Sequence, residues 1–229
     1  SHDDGDHYGG LLSVLAEGYT AGTIYHCGDN TDFGEGVQIP IETEIELGDG
    51  ARALCVGRYG QFIDGSYGNT SSNNLSVCLL VEYGGFDYVT AGDLETMEDE
   101  LAGALTGYPS AAPLLDPAAG VDVIHVNHHG SDSSSKYYYV NRIKHELALI
   151  NGGFGHGWGH PRWTAVDRLK GRRYYSDGGG STWVTWTGCD SVFRTTYDYK
   201  EDGRAPEWDC PTLGDMVLTY DGRSQNYYL

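Results

Sequence analysis

Ser1-His2-Asp3-Asp4-Gly5-Asp6-His7 crowds two imidazoles against the carboxyls of Asp3, Asp4 and Asp6. Groups packed this closely repel one another or compete for solvent unless a cation holds them together. In a tight turn His2 and Asp4 can face one ion while Asp6 and His7 face another. Gly5 relieves the crowding there, and Gly9-Gly10 lets a helix start close by. The alternative is an acidic, His-containing tail. No single loop surrounds two ions, so a two-metal site needs donors from elsewhere in the chain. Such donors follow at Gly92-Asp93 and at His128-His129-Gly130-Ser131.

Between these clusters the pattern is that of a mixed fold. Residues 9–17 read as a short helix and 23–25 as a strand. Residues 42–47 and 51–57 read as strands around the Gly48-Asp49-Gly50 turn. A second hairpin, 76–83 with 86–91, turns at Gly84-Gly85 and delivers Asp93. Helix 95–105 follows, then a buried strand over 121–127 that ends on the His pair. Helix 135–143, strand 147–150 and helix 164–169 come next, and a closing hairpin (216–220 with 225–228) turns at Asp221-Gly222. Hairpins followed by alternating helices and single strands predict sheets flanked by helices in one domain. Residues 176–212, rich in Gly, Trp, Tyr and Asp, read as an insertion.

Each donor has a plainer reading beside the chemical one. Asp93 either bridges two cations from a sheet edge or caps helix 95–105. Side chains at a strand end alternate, so one of His128 and His129 reaches the ion and the other positions substrate or moves a proton. In the Gly-rich stretch 152–161, His160 ranks above His156 because Pro161 fixes its backbone and starts a helix. His26, His125 and His145 read as structural or surface residues.

Composition narrows the class. The chain has 229 residues, 39% of them hydrophobic, and no apolar run approaches the length that spans a bilayer. Its formal charge is −19, which repels nucleic acid in bulk, so such a substrate needs metal ions and a local Arg patch. Arg162, Arg168, Arg172 and Arg173 are that patch or one solvated helix face. Among five Cys, Cys78 reads as a buried thiol, and the other four can form two disulfides in three ways, of which Cys27–Cys55 with Cys189–Cys210 is favoured. With 18 Tyr, 34 Gly and little Lys, the chain is expected to be exported, extracellular or periplasmic.

Taken together these residues resemble the metallo-β-lactamase superfamily, in particular the hydrolase domain of ComEC-type DNA-uptake proteins and their secreted relatives. The resemblance runs in order through Ser-His-x-Asp-x-Asp-His-x-Gly-Gly (1–10), Asn74-x-Ser76 and Ala91-Gly92-Asp93-Leu94. It continues through Asp-Val-Ile-His-Val-Asn-His-His-Gly-Ser (122–131), Gly159-His160-Pro161 and Asp221-Gly222. It implies an α/β (α+β) fold, an αββα sandwich with a two-metal site at the sheet edges. His2, Asp4, Asp6 and His7 are then ligands from the first loop, Asp93 the bridging ligand and His129 the later ligand. His129 is preferred to His128 because relatives with nuclease activity carry His-x-Ser at that place. Asp6, His128 and His160 become the catalytic residues.

The superfamily usually has His where Asp4 stands, which makes the site harder and suits two Mn or Zn ions. Relatives also carry strands before the first motif, so an N-terminally truncated sandwich, its open edge covered by a homo-oligomer, is expected. The implied function is metal-dependent hydrolysis of a phosphodiester, with DNA among the candidate substrates, by a two-metal-activated hydroxide. The alternatives are a small-substrate, phosphorylcholine-esterase-like enzyme, with aromatic residues Trp183, Trp186, Tyr197 and Tyr199 against its substrate, and a non-catalytic extracellular assembly protein.

Overall fold

The computed structural model describes residues 1–28, 36–107, 113–152, 157–176, 181–185, 191–195, 216, 219–220 and 227–228. Helices are α1 (Gly5–Ala16), α2 (Glu98–Thr106), α3 (Tyr137–Ile143) and α4 (Trp163–Leu169). Strands are β1 (Tyr25–His26), β2 (Val37–Gln38), β3 (Glu44–Gly48), β4 (Ala51–Arg58), β5 (Gln61–Phe62), β6 (Cys78–Tyr83) and β7 (Phe86–Thr90). Then come β8 (Val123–His125), β9 (Leu147–Ile150), β10 (Arg172–Ser176), β11 (Ser181–Thr185), β12 (Ser191–Arg194), β13 (Thr219–Tyr220) and β14 (Tyr227–Tyr228). Among the described residues no helix is long and apolar enough to cross a membrane.

The fold is the expected mixed α/β class, a large mixed sheet flanked by helices. The sheet runs β12-β9-β8-β7-β6-β4-β3, with β5 paired to β4. Tight turns make one half antiparallel. The β3–β4 connection places Gly48, Asp49 and Gly50 at positive φ, which suits Gly-rich sequence, and β6 and β7 pair in the same sense. The other half is parallel, β7 with β8, β8 with β9 and β9 with β12, because helices carry the chain back between successive strands.

Strand periodicity buries both faces of the parallel half. Ile124, Ala148, Ile150 and Val192 point into the main core with α2, α3 and α4 residues such as Leu101, Leu105, Val140, Ile143 and Val166. Their strand neighbours Val123, Leu147, Leu149 and Phe193 form a smaller cluster with Phe86 and Tyr88 on the opposite face. The apolar runs at 121–126 and 147–150 follow from this two-sided burial.

Several expectations are revised. The first helix starts at Gly5, inside the His/Asp heptad, and none of its residues is buried. α2 begins at Glu98 because Asn74 Oδ1 accepts the amides of Glu95 (3.1 Å) and Thr96 (3.2 Å), which binds that segment to the turn at 72–75. Pro161 lies before α4, whose N-cap is Arg162. The expected Cys27–Cys55 disulfide is not formed, since Cys27, Cys55 and Cys78 are all buried free thiols. Cys55 Sγ instead lies 3.6 Å from the Gly57 carbonyl, and burial pushes its pKa up to about 11, leaving it unreactive. Cys189 and Cys210, His156 and the Asp221-Gly222 turn lie outside the described residues. The 176–212 stretch contributes β12 to the main sheet.

Candidate metal centre

The loops that leave the carboxyl ends of parallel strands β7, β8 and β9 meet at one edge of the sheet, where α/β folds gather ligands. Gly92, φ +53°, turns the chain after β7, and a Cβ there would lie 2.7 Å from Ser76 Oγ. Ser76 Oγ accepts the Asp93 amide at 3.0 Å, and the His128 amide donates to the Gly92 carbonyl at 3.0 Å. The Arg162 amide donates to the Gly130 carbonyl at 2.8 Å, which joins the third loop. A Cβ on Gly130 would lie 2.7 Å from Pro161 Cβ. Backbone contacts therefore fix the three loops against one another.

The heptad closes the same site. Asp4 is the N-cap residue of α1, with its carbonyl accepting the His7 amide at 2.9 Å. His7 Nε2 stands 3.1 Å from Asp93 Oδ1 and 3.8 Å from Asp6 Oδ2. His129 Nε2 stands 3.4 Å from Asp6 Oδ2 and 3.6 Å from Asp93 Oδ1. His2 Nε2 lies 3.2 Å from Asp4 Oδ2, and His128 Nε2 lies 3.5 Å from Asp93 Oδ2. Among the described residues two groupings, which share His7, bring donor atoms close enough for one ion, His2–His7–Asp93 and Asp6–His7–His129. Asp4 reaches His2 and accepts from Ser72 Oγ at 3.2 Å, outside both groupings. Asp93 does not cap α2, whose N-cap is Met97.

The expectation that the two His alternate is corrected. β8 stops at His125, and His128 and His129 both take left-handed backbone angles (φ 47° and 52°), so both rings face Asp93. In each case Nδ1 meets the protein and Nε2 points into the site. His129 Nδ1 lies 3.0 Å from the Asn151 carbonyl and therefore carries the proton. His128 Nδ1 lies 2.5 Å from Glu95 Oε1, and His2 Nδ1 lies 3.3 Å from Ser76 Oγ.

The residues fit divalent cations. The buried Nε2 atoms of His2, His7 and His129 have no partner in hydrogen-bonding geometry, yet each faces carboxylate oxygen. Imidazoles held through Nδ1, with Nε2 directed at carboxylates, make the usual donor set of a metal site. Electrostatics agree. Burial raises the Asp93 pKa, but the close contact with His7 and the charges of His129, His7 and His128 outweigh it and hold it below the ordinary range. Burial lowers that of His7, and Asp93 with Asp6 more than restores it. Burial, then His7, lowers that of His2.

Supporting residues not foreseen from the sequence surround this core. Glu95 Oε1 also accepts Ser133 Oγ (2.8 Å) and Asn73 Nδ2 (2.9 Å), which holds it against His128. Buried Glu98 accepts Asn127 Nδ2 (2.8 Å) and the Ser135 (2.6 Å) and Lys136 (2.8 Å) amides, pinning the chain on both sides of the His pair. Arg168 donates to the carbonyls of Asp132, Ser134 and Ser135. It staples that loop and is not part of a cationic patch. Arg162 does reach the site; the side chains of Arg172 and Arg173 lie outside the described residues.

A cleft of about 930 Å³ opens over the centre. Asp4, Asp6, Asp93, His128 and His129 line it, together with Asn151, Trp158, His160, Arg162 and Thr195 among others. The His160 ring lies 5.5 Å from that of His128, centroid to centroid. His125 belongs beneath the site, bonded through Nε2 to Asn151 Oδ1 at 2.7 Å. The site thus brings together His2, Asp4, Asp6, His7, Asp93, His128, His129 and His160.

No family model matches the chain. It is similar to Recombination protein 2 of Haemophilus influenzae, 25% identical over 185 residues, covering 77% of this chain and 20% of that protein. It is also similar to Competence protein ComA of Neisseria gonorrhoeae, 27% identical over 172 residues, with 74% and 22% covered. ComE operon protein 3 of Bacillus subtilis is 29% identical over 101 residues, with 44% and 12% covered. The chain spans about a fifth or less of the length of these relatives.

Proposed function

We propose that this chain is a metallo-β-lactamase-type hydrolase domain that cleaves phosphodiester bonds, with nucleic acid as its substrate class. One observation carries the reading: His2, His7 and His129 aim unsatisfied buried Nε2 atoms at the carboxylates of Asp4, Asp6 and Asp93. The names of two relatives refer to recombination and competence, which supports nucleic acid as the substrate.

Two divalent cations, zinc or manganese, would supply Lewis-acid charge and an acidified water when bound. His2, His7, His129, Asp6 and Asp93 would hold them, with Asp4 completing the first-loop set. The rest of the chemistry falls to the side chains. Asp6, exposed at the cleft, accepts the proton of the attacking water. Glu95 fixes the ring of His128 so that Nε2 faces the cleft, and His128 or His160 delivers a proton to the leaving oxygen as the phosphorus–oxygen bond breaks. The −19 charge and the Tyr- and Gly-rich composition support a place outside the cytoplasm. The unburied α1 and the sheet edge at β3 support a homo-oligomer that covers them.

The purified protein, supplied with manganese or zinc, is expected to hydrolyse bis-p-nitrophenyl phosphate and DNA, assayed side by side as single and double strands. No cleavage of any of these with either metal defeats the proposal. Glu95→Gln keeps the shape but loses the strong charge-assisted contact to His128. It is expected to lower kcat about 10- to 100-fold with little change in melting temperature. An unchanged kcat removes Glu95 from the machinery.

A further inference from the structure

We infer that Trp158 is a stacking platform for an unpaired nucleobase, and that the cleft accepts a single-stranded nucleic acid with that base beside the scissile phosphate. The inference rests on the phosphodiesterase reading and specifies its substrate. Trp158 is 71% exposed, and of the large hydrophobic residues left exposed among those described, it alone lines the cleft. A largely exposed indole lining an acidic site offers a flat face that matches the π-face every base carries.

The surroundings select the ligand. Arg162 Nη2 donates to the Trp158 backbone carbonyl at 2.6 Å, and both residues line the cleft together with Asp4, Asp6 and Asp93. A guanidinium there attracts the phosphate next to the stacked base and repels a cationic headgroup. Arg162 is also the sole Lys or Arg lining the cleft among the described residues. A single guanidinium beside the metal centre offers a duplex few phosphate contacts on a chain of net charge −19, and a paired base keeps its faces buried in the stack. The cleft, about 930 Å³, is wider than one phosphodiester requires and leaves room for an adjoining nucleoside.

The test compares wild type, Trp158→Ala and Trp158→Phe on three p-nitrophenyl phosphodiesters, the thymidine 5′-ester, the methyl ester and the choline ester. The nitrophenyl group is common to all, so the ratio of kcat/KM between esters isolates the second substituent. The thymidine-to-methyl ratio is expected to fall about tenfold or more in Trp158→Ala and to be kept within about threefold in Trp158→Phe. An unchanged ratio in Trp158→Ala, or a wild-type preference for the choline ester, overturns the inference. Binding is read apart from turnover, by anisotropy of a labelled tetrathymidylate with calcium supplied. Wild type is expected to bind it about tenfold or more tighter than Trp158→Ala does, and tighter than a hairpin duplex of the same label. Equal binding by wild type and Trp158→Ala sinks the subsite whatever the turnover. Selective binding without hydrolysis of any ester sinks the phosphodiesterase reading and leaves the subsite standing.

Discussion

Asp93→Ala is expected to abolish hydrolysis, lowering kcat on bis-p-nitrophenyl phosphate by about a thousandfold, or on the order of 4 kcal/mol. Metal content should fall from about two equivalents to one or fewer, measured by elemental analysis after gel filtration. The size of the effect follows from position. Asp93 Oδ1 faces His7 and His129 while Oδ2 faces His128, so a single carboxylate meets both imidazoles of the His pair and one of the heptad. Asp93→Asn keeps the shape and removes the charge, and should lose nearly as much. Because the backbone of Asp93 is held by Ser76 Oγ through its amide, both variants should melt within a few degrees of the wild type. Hydrolysis at the wild-type rate in Asp93→Ala would remove the centre from the chemistry.

Glu98→Ala is expected to be the most damaging change to stability, by several kcal/mol. It strands the Asn127 side-chain amide and the Ser135 backbone amide in a dry interior, at about 1–3 kcal/mol for each donor left unsatisfied, and takes the acceptor from the part-buried Lys136 amide. Denaturant titration measures the loss, and a melting temperature within two or three degrees of the wild type contradicts it. The same residue predicts a pH dependence. Burial pushes its pKa up to about 7 from 4.5, despite the donors around it. The folded state then keeps a proton that the unfolded chain has already released, so this contribution is present in full below pH 4.5. It is lost as pH rises to 7. Glu98→Gln cannot titrate, and the stability difference between wild type and this variant should shift against the wild type as pH rises across that window. A constant difference from pH 4.5 to 7 excludes the linkage.

Much of the site was legible because it is made of residues a fold has no other use for. The Asp and His of the heptad, Asp93 after a hairpin and the His pair after an apolar strand each stand out locally. The hairpins and the buried strands were legible for the same reason, since turn chemistry and apolar periodicity act over a few residues. Glu95 and Glu98 were not. In Glu95-Thr-Met-Glu98-Asp-Glu100 the acids look alike, as the solvated first turn of a helix, and only packing separates the one that holds His128 from the one sealed in the core. The thiols were equally opaque. Residue spacing proposed Cys27–Cys55, whereas strand placement left both thiols buried and unpaired.

The sequence by itself determined the donor inventory, the mixed fold class and the order in which donors arrive, because residue type and short-range periodicity are local properties. The tertiary structure decided which atoms meet. Left-handed backbone at both His128 and His129 turned two rings to one side where a strand would have split them. The carboxyl ends of β7, β8 and β9 brought Asp93, the His pair and Trp158 together with the heptad at one sheet edge. Convergence of this kind depends on through-space placement of loops separated by dozens of residues, which no local pattern encodes.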